Sequence, residues 1–113
     1  MINRSLVVVK VRQPFIDWLS GLPDPEPADT TVANVNEDSH VYLLPEWDTP
    51  DEAQELLRQC FDIIFENELA GWWTVEDDWP TKRTFKLFQA WFEVEFHSCL
   101  IDLVEGPLDD DEV

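Results

Sequence analysis

Between Arg4 and Arg12, Val7, Val9 and Val11 alternate with Leu6, Val8, Lys10 and Arg12, and a period of two in β-branched residues predicts a strand. Leu6 and Val8 make its first half apolar on both faces, the pattern of a covered strand that emerges to solvent at Lys10. The period then lengthens. Phe15, Trp18, Leu19 and Leu22 follow Pro14 at helical spacing, and proline in the first turn with Gly21 and Pro23 at the far end bounds a short helix. Pro23 to Asp29 sets three prolines among acids, which blocks both helix and ladder hydrogen bonds and predicts an extended loop. Thr31 to Asp38 fits a single helical turn or an irregular loop equally well. His40 to Leu44 reads as a second strand, closed by Pro45.

Thr49-Pro50-Asp51-Glu52 carries the clearest start signal: an N-cap threonine, proline at the first helical position, and a glutamate placed for a capping box. Ala53, Leu56, Leu57, Cys60, Ile63 and Ile64 then line one face, widened by Phe61 and Phe65. Glu55, Arg58, Gln59, Asp62, Glu66 and Glu68 fall mostly on the other side, and the helix is expected to run to about Ala70. Trp72 to Asp78 is a loop. A third helix is expected to begin at Trp79-Pro80-Thr81, with Thr84, Phe85, Phe88, Trp91 and Phe92 at helical spacing. From Phe92 the period returns to two, Phe92, Val94 and Phe96 alternating with Glu93, Glu95 and His97. Cys99, Ile101 and Leu103 then take over as the apolar set, a phase change that predicts a bulge or a strand covered on both faces beyond Ser98. The order is strand, helix, strand, helix, helix, strand. An α+β fold follows, with one small sheet of about three strands and helices packed on it. Residues 1–106 form a single globular domain in this reading, and 107–113 an acidic C-terminal tail.

Charge changes the picture more than composition does. The 113 residues are 44% apolar with six Trp and seven Phe, enough for a packed core despite the charge. Seven basic residues stand against 25 acids, a net of −18, well beyond the magnitude of about 2–8 that serves solubility in a small domain. The imbalance is uneven along the chain. Residues 1–22 carry +2, 23–79 carry −15, 80–92 carry +3 and 93–113 carry −8. Nucleic acid and anionic membrane would be repelled, so neither is expected as a direct partner; a basic protein is the natural complement. Cys60 and Cys99 lie in apolar stretches and are expected as reduced core thiols. Leu6 to Val9 is too short for a signal peptide's apolar core, and no run approaches the ~18 residues of a spanning helix, so the cytoplasm is the default location.

Signatures of chemistry are few. There is no nucleophile elbow, P-loop, dinucleotide fingerprint, HExxH helix or paired-cysteine zinc pattern, and three glycines leave little to cradle a phosphate. No catalytic set, metal site or cofactor is expected. His97 and Cys99 share a strand face, but Cα atoms two apart lie about 6.6 Å from each other; a histidine and a thiol packed beneath the helices is the better account. Glu76-Asp77-Asp78 and Asp109 to Glu112 are rich in oxygen ligands, yet contiguous acids diverge and lack the spacing of a calcium loop. One constellation stands out as a partner-binding candidate: Trp72, Trp73 and Trp79 flanking Glu76, Asp77 and Asp78. Aromatics beside charge are typical of interface hot spots, whereas the structural alternative is that these rings plug the end of the helix layer.

The segments Val7-Val8-Val9-Lys10, Gln13-Pro14-Phe15-Ile16-Asp17-Trp18-Leu19, Val41-Tyr42-Leu43-Leu44-Pro45-Glu46 and Trp91-Phe92-Glu93-Val94-Glu95-Phe96-His97-Ser98 resemble a family of short, acidic bacterial proteins of unknown function. The resemblance spans most of the chain and implies a bacterial, cytoplasmic protein, but supplies no activity or site. The sequence therefore favours an acidic protein-binding module that docks on a basic partner, one version being a nucleic-acid mimic or inhibitor. The rival is a small enzyme using carboxylates in an aromatic-walled cleft, with or without a divalent cation; it requires at least one acid with a strongly raised pKa, buried beside aromatic walls. A third account makes the acidity a solubility trait of the whole source proteome.

Overall fold

The computed structural model describes residues 4–25, 27, 30–99, 101 and 103. It has the α+β architecture that the periodicities predict: a three-stranded antiparallel sheet in the order β2-β1-β3, with helices on one face. The central strand β1 (Ser5–Val11) pairs with β2 (His40–Leu44), placing Val7 opposite Tyr42 and Val9 opposite His40. On its other side β1 pairs with β3 (Phe92–His97), with Val11 opposite Phe92 and Val7 opposite Phe96. Side chains alternate across a pleated sheet, so Val7, Val9, Val11, His40, Tyr42, Leu44, Phe92, Val94 and Phe96 share the face that meets the helices.

Helix α1 (Gln13–Ser20) follows β1 directly and buries Phe15, Ile16 and Leu19. A single helical turn, α2 (Val32–Val35), is capped by the Thr31 hydroxyl and runs into a 3-10 turn at Asn36–Asp38. Asn36 extends the edge of the sheet there: its amide accepts from Val11 N–H at 2.9 Å and donates to Val11 C=O at 3.0 Å. The long helix α3 (Pro50–Ala70) starts as its signal predicts, with Thr49 Oγ1 accepting from Glu52 N–H and Asp51 and Glu52 in the first turn. It lays Ala53, Leu57, Ile64, Phe65 and Leu69 on the core. Phe15, Phe65, Phe88 and Phe92 are fully buried, with centroids 5.2–5.4 Å apart in the pairs Phe88–Phe92, Phe65–Phe92 and Phe15–Phe92. Phe92 is thus the hub where β3 meets α1, α3 and the last helix.

Several expectations need correction. The third helix, α4 (Phe85–Trp91), begins six residues later than Trp79, because Thr84 caps it by accepting from Leu87 N–H at 3.1 Å. Residues 79–84 instead make a non-helical strap. Arg83 pins that strap to α3 through Glu66 at 2.8 Å and donates to Pro80 C=O. Leu6 and Val8 are only half-buried, and Val41 and Leu43 beside them are exposed, so β1 is covered on one face rather than two. Strand β3 stops at His97. Cys99 is exposed and Cys60 half-buried, Ile101 and Leu103 are exposed, and among the described residues neither the His97–Cys99 packing nor a two-sided strand beyond Ser98 is present: the partner strand β1 ends its ladder at Leu6 opposite His97. The tail expected at 107–113, with the acids Asp109 to Glu112, lies outside the described residues.

Candidate functional site

Helix α3 delivers its C-terminal turn beside the edge strand β2, and the contact between them is polar. Glu68 occupies a position on the buried face of α3, one turn after Ile64, and is only 3% exposed. Its Oε2 receives a hydrogen bond from the Tyr42 hydroxyl and lies 2.6 Å from His40 Nδ1; an acceptor carboxylate there puts the ring proton on Nδ1. Asn67 Nδ2 donates in turn to the Tyr42 oxygen at 2.9 Å. His40 and Tyr42 reach the same carboxylate because two residues apart on a strand is one face. Burial first, then the bond to Glu68, pushes the Tyr42 phenol far above its ordinary value near 10.

Glu68 and His40 line a cavity of ≈ 240 Å³. Its walls are Val9 and Val11 from the sheet, Val35 from α2, and Trp72 just past the end of α3, with Asn36, Asp38 and Ser39 at the 3-10 turn. On the other side of Tyr42 lies a shallower groove formed by Ile63, Glu66, Asn67, Ala70 and Trp79. Ile63 is 67% exposed beside it.

The six residues singled out from the sequence divide between these surroundings. Trp79 is buried, and its indole N–H donates to Trp73 C=O at 2.7 Å. Trp73 Nε1 donates to Asp78 Oδ2 at 2.9 Å, and Trp18 Nε1 to Asp78 C=O at 2.9 Å. A 3-10 turn at Glu76–Asp78 closes this knot. Trp73, Asp78 and Trp79, with Trp18 from α1, therefore hold the loop together, as large rings filling the end of the helix layer do. Glu76 and Asp77 stay exposed. Trp72 stands apart: it is half-buried, its ring meets Phe15 edge-on at 6.5 Å, and it forms a wall of the cavity.

Sequence reasoning placed Glu68 on the solvent side of α3, and His40 and Tyr42 only within a strand. The signal for Glu68 was present: it falls four residues after Ile64 and eleven after Leu57, inside the apolar stripe. An acid at that phase must be paired or solvated. Among the described residues Glu68 is the one buried acid, and it lies against the Tyr42 hydroxyl. Cys60 takes no part, its thiol pushed up by burial and then by the Asp62 charge.

Helix α3 carries a second feature on its opposite side. Asp51, Glu55, Asp62 and Glu66 are all exposed, and at about 100° per residue they fall within about a 60° arc. They form one ribbon of carboxylates about 22 Å long, from 15 steps of ~1.5 Å. Arg83 touches its end at Glu66, and Arg58 lies 3.8 Å from Glu55. Among the described residues no three His, Cys, Asp or Glu side chains are grouped to hold a metal ion, and no helix is long and apolar enough to cross a membrane. Compared with protein-family models, curated proteins and solved structures, the chain matches none.

Proposed function

We propose that this protein is a binding module that docks on a basic protein partner. The observation that carries this reading is the ribbon of α3, where four carboxylates share one exposed face, with Arg83 at its Glu66 end and Arg58 near its middle beside Glu55. Beside it, the groove under Ile63, Ala70 and Trp79 offers apolar surface for short-range contact. The long-range field would steer a cationic partner to the ribbon, with an association rate that falls as ionic strength rises. Affinity would then rest on the apolar groove, since exposed ion pairs contribute only about 0–1 kcal/mol each. Glu76 and Asp77, exposed on their own 3-10 turn, would add to the same field.

The test compares captures from a lysate of the source cells at low and high salt. The wild-type chain should retain a basic protein at low salt only, and D51N/E55Q/D62N should lose it. E46Q/E93Q, which removes two exposed carboxylates elsewhere, should retain it. Equal capture by the two variants, or no basic protein at low salt, counts against the reading.

A further inference from the structure

The cavity beside Glu68 has a chemical character that the ribbon does not explain. At ≈ 240 Å³ it has far more room than the about 10–15 Å³ that a single water needs. Two carboxylate residues, Glu68 and Asp38, line it, and no Lys or Arg does. Glu68 Oε2 takes both the His40 and Tyr42 bonds, while Oε1 accepts none from the described residues. Oε1 is not shut off from solvent, since Arg83 Nε alone is a buried unpaired side-chain atom among the described residues. It is open to a ligand, and a positive group there would complement two acids that share one basic neighbour, His40 on Oε2. The remaining walls, Val9, Val11, Val35 and Trp72, are apolar or aromatic.

We propose that this cavity binds an alkylammonium group, its charged head between Glu68 Oε1 and Asp38 and its aliphatic stem against the valines and the Trp72 ring. Apolar walls with a few placed polar groups are the usual form of a small-ligand site, and an indole adds attraction for a cation held near its face. A guanidinium is the poorer match. Its strength lies in a two-pronged bond to both oxygens of a carboxylate, and Oε2 of Glu68 is already occupied. A hard divalent ion needs about six or more oxygen ligands, which the two carboxylates with Asn36 and Ser39 do not supply. The ammonium can come from a free amine or from a lysine side chain of another protein. The proposal does not rest on the α3 ribbon.

The Trp72 indole N–H provides a local reporter in the intact chain, assigned by its loss in Trp72→Phe. Titration with n-butylammonium chloride should move that resonance saturably in nitrogen-edited spectra, while n-butanol, or sodium chloride at the same ionic strength, should not. Asp38→Asn and Glu68→Gln should each weaken binding by about tenfold, the equivalent of one charge-assisted hydrogen bond. Asp38 is exposed, so its variant carries the test even if Glu68→Gln does not fold. Tighter binding of N-acetyl-lysine methylamide than of butylammonium assigns the site to a partner's side chain, and weaker binding to a free amine. The proposal is overturned if butanol or salt shifts the reporter as far, if both variants bind like the wild type, or if n-butylguanidinium binds more tightly than the amine.

Discussion

Tyr42 is the chain's sole tyrosine, and its hydroxyl is one of two groups that satisfy the buried Glu68. Replacing it by phenylalanine should cost about 1.5–3 kcal/mol at neutral pH, the range for hydrogen bonds to charged groups. The pH dependence has a definite sign. The folded-state pKa of Tyr42 is raised above its ordinary value near 10, so the stability it contributes is complete below pH 10. It is lost as pH rises toward the folded value, because the unfolded chain releases the proton first. Urea titrations at about pH 7 and about pH 11 should therefore show the gap between wild type and Tyr42→Phe narrowing at the higher pH; a constant gap would mean that the phenol's proton is not tied to the fold. The two thiols offer a second check at this scale. Cys99 is exposed, whereas Cys60 is half-buried with its pKa raised, and the thiolate is the reactive form. A disulfide reagent should label Cys99 first and Cys60 slowly, and the C99A variant should lose the fast phase. Both residues sit in apolar runs of the sequence, so run composition alone could not separate them; what separates them is that α3 continues past Cys60 while β3 has ended before Cys99.

Elements whose signals are local emerged from the sequence with nearly the right bounds. The N-cap and proline of α3, the valine alternation of β1 and the Pro14 start of α1 each specify geometry within a few residues, and all three elements form where expected. The start of α4 was misplaced because Trp79-Pro80-Thr81 mimics a helix opening. Trp79 instead spends its indole N–H on Trp73 C=O, six residues back, and Arg83 ties the strap to Glu66 on α3, seventeen residues away. Thr84 is the cap that the strap leaves in use. Thr84→Ala should cost about 1 kcal/mol, while Thr81→Ala, at the expected opening, should cost less than half of that; equal losses in denaturant titrations would contradict the observed start. The same limit explains the cavity. His40 with Tyr42 at alternate strand positions and Glu68 within the apolar phase of α3 are each legible alone, but their meeting depends on β2 lying at the sheet edge beside the end of α3, a matter of topology.

For the whole molecule, the net charge of −18 opposes compaction, and the fold's response is to use its few cations as fasteners. Lys10 meets Glu95 at 3.1 Å across the sheet, Arg12 donates to Phe92 C=O, Arg58 lies over Phe85 with 4.6 Å to the centroid, and Arg83 joins the strap to α3. The carboxylates they leave unmatched repel one another, most strongly where a single element gathers them. Glu55 and Asp62 on α3 are seven residues apart, about 10.5 Å along the axis, which is close to the Debye length of about 10 Å at ~0.1 M salt. Their repulsion is therefore felt at low salt and screened at high salt. Glu46 and Glu93 sit on separate segments, so neutralising them removes the same formal charge without relieving that ribbon. At low salt E55Q/D62N should melt above the wild type, by more than E46Q/E93Q does, despite the loss of the weak contact between Glu55 and Arg58. At about 1 M salt, where the screening length is about 3 Å, the three proteins should converge. Equal gains from the two double variants at low salt would show that the acids act as an even coat, and the surface that the docking reading depends on would then have no privileged face.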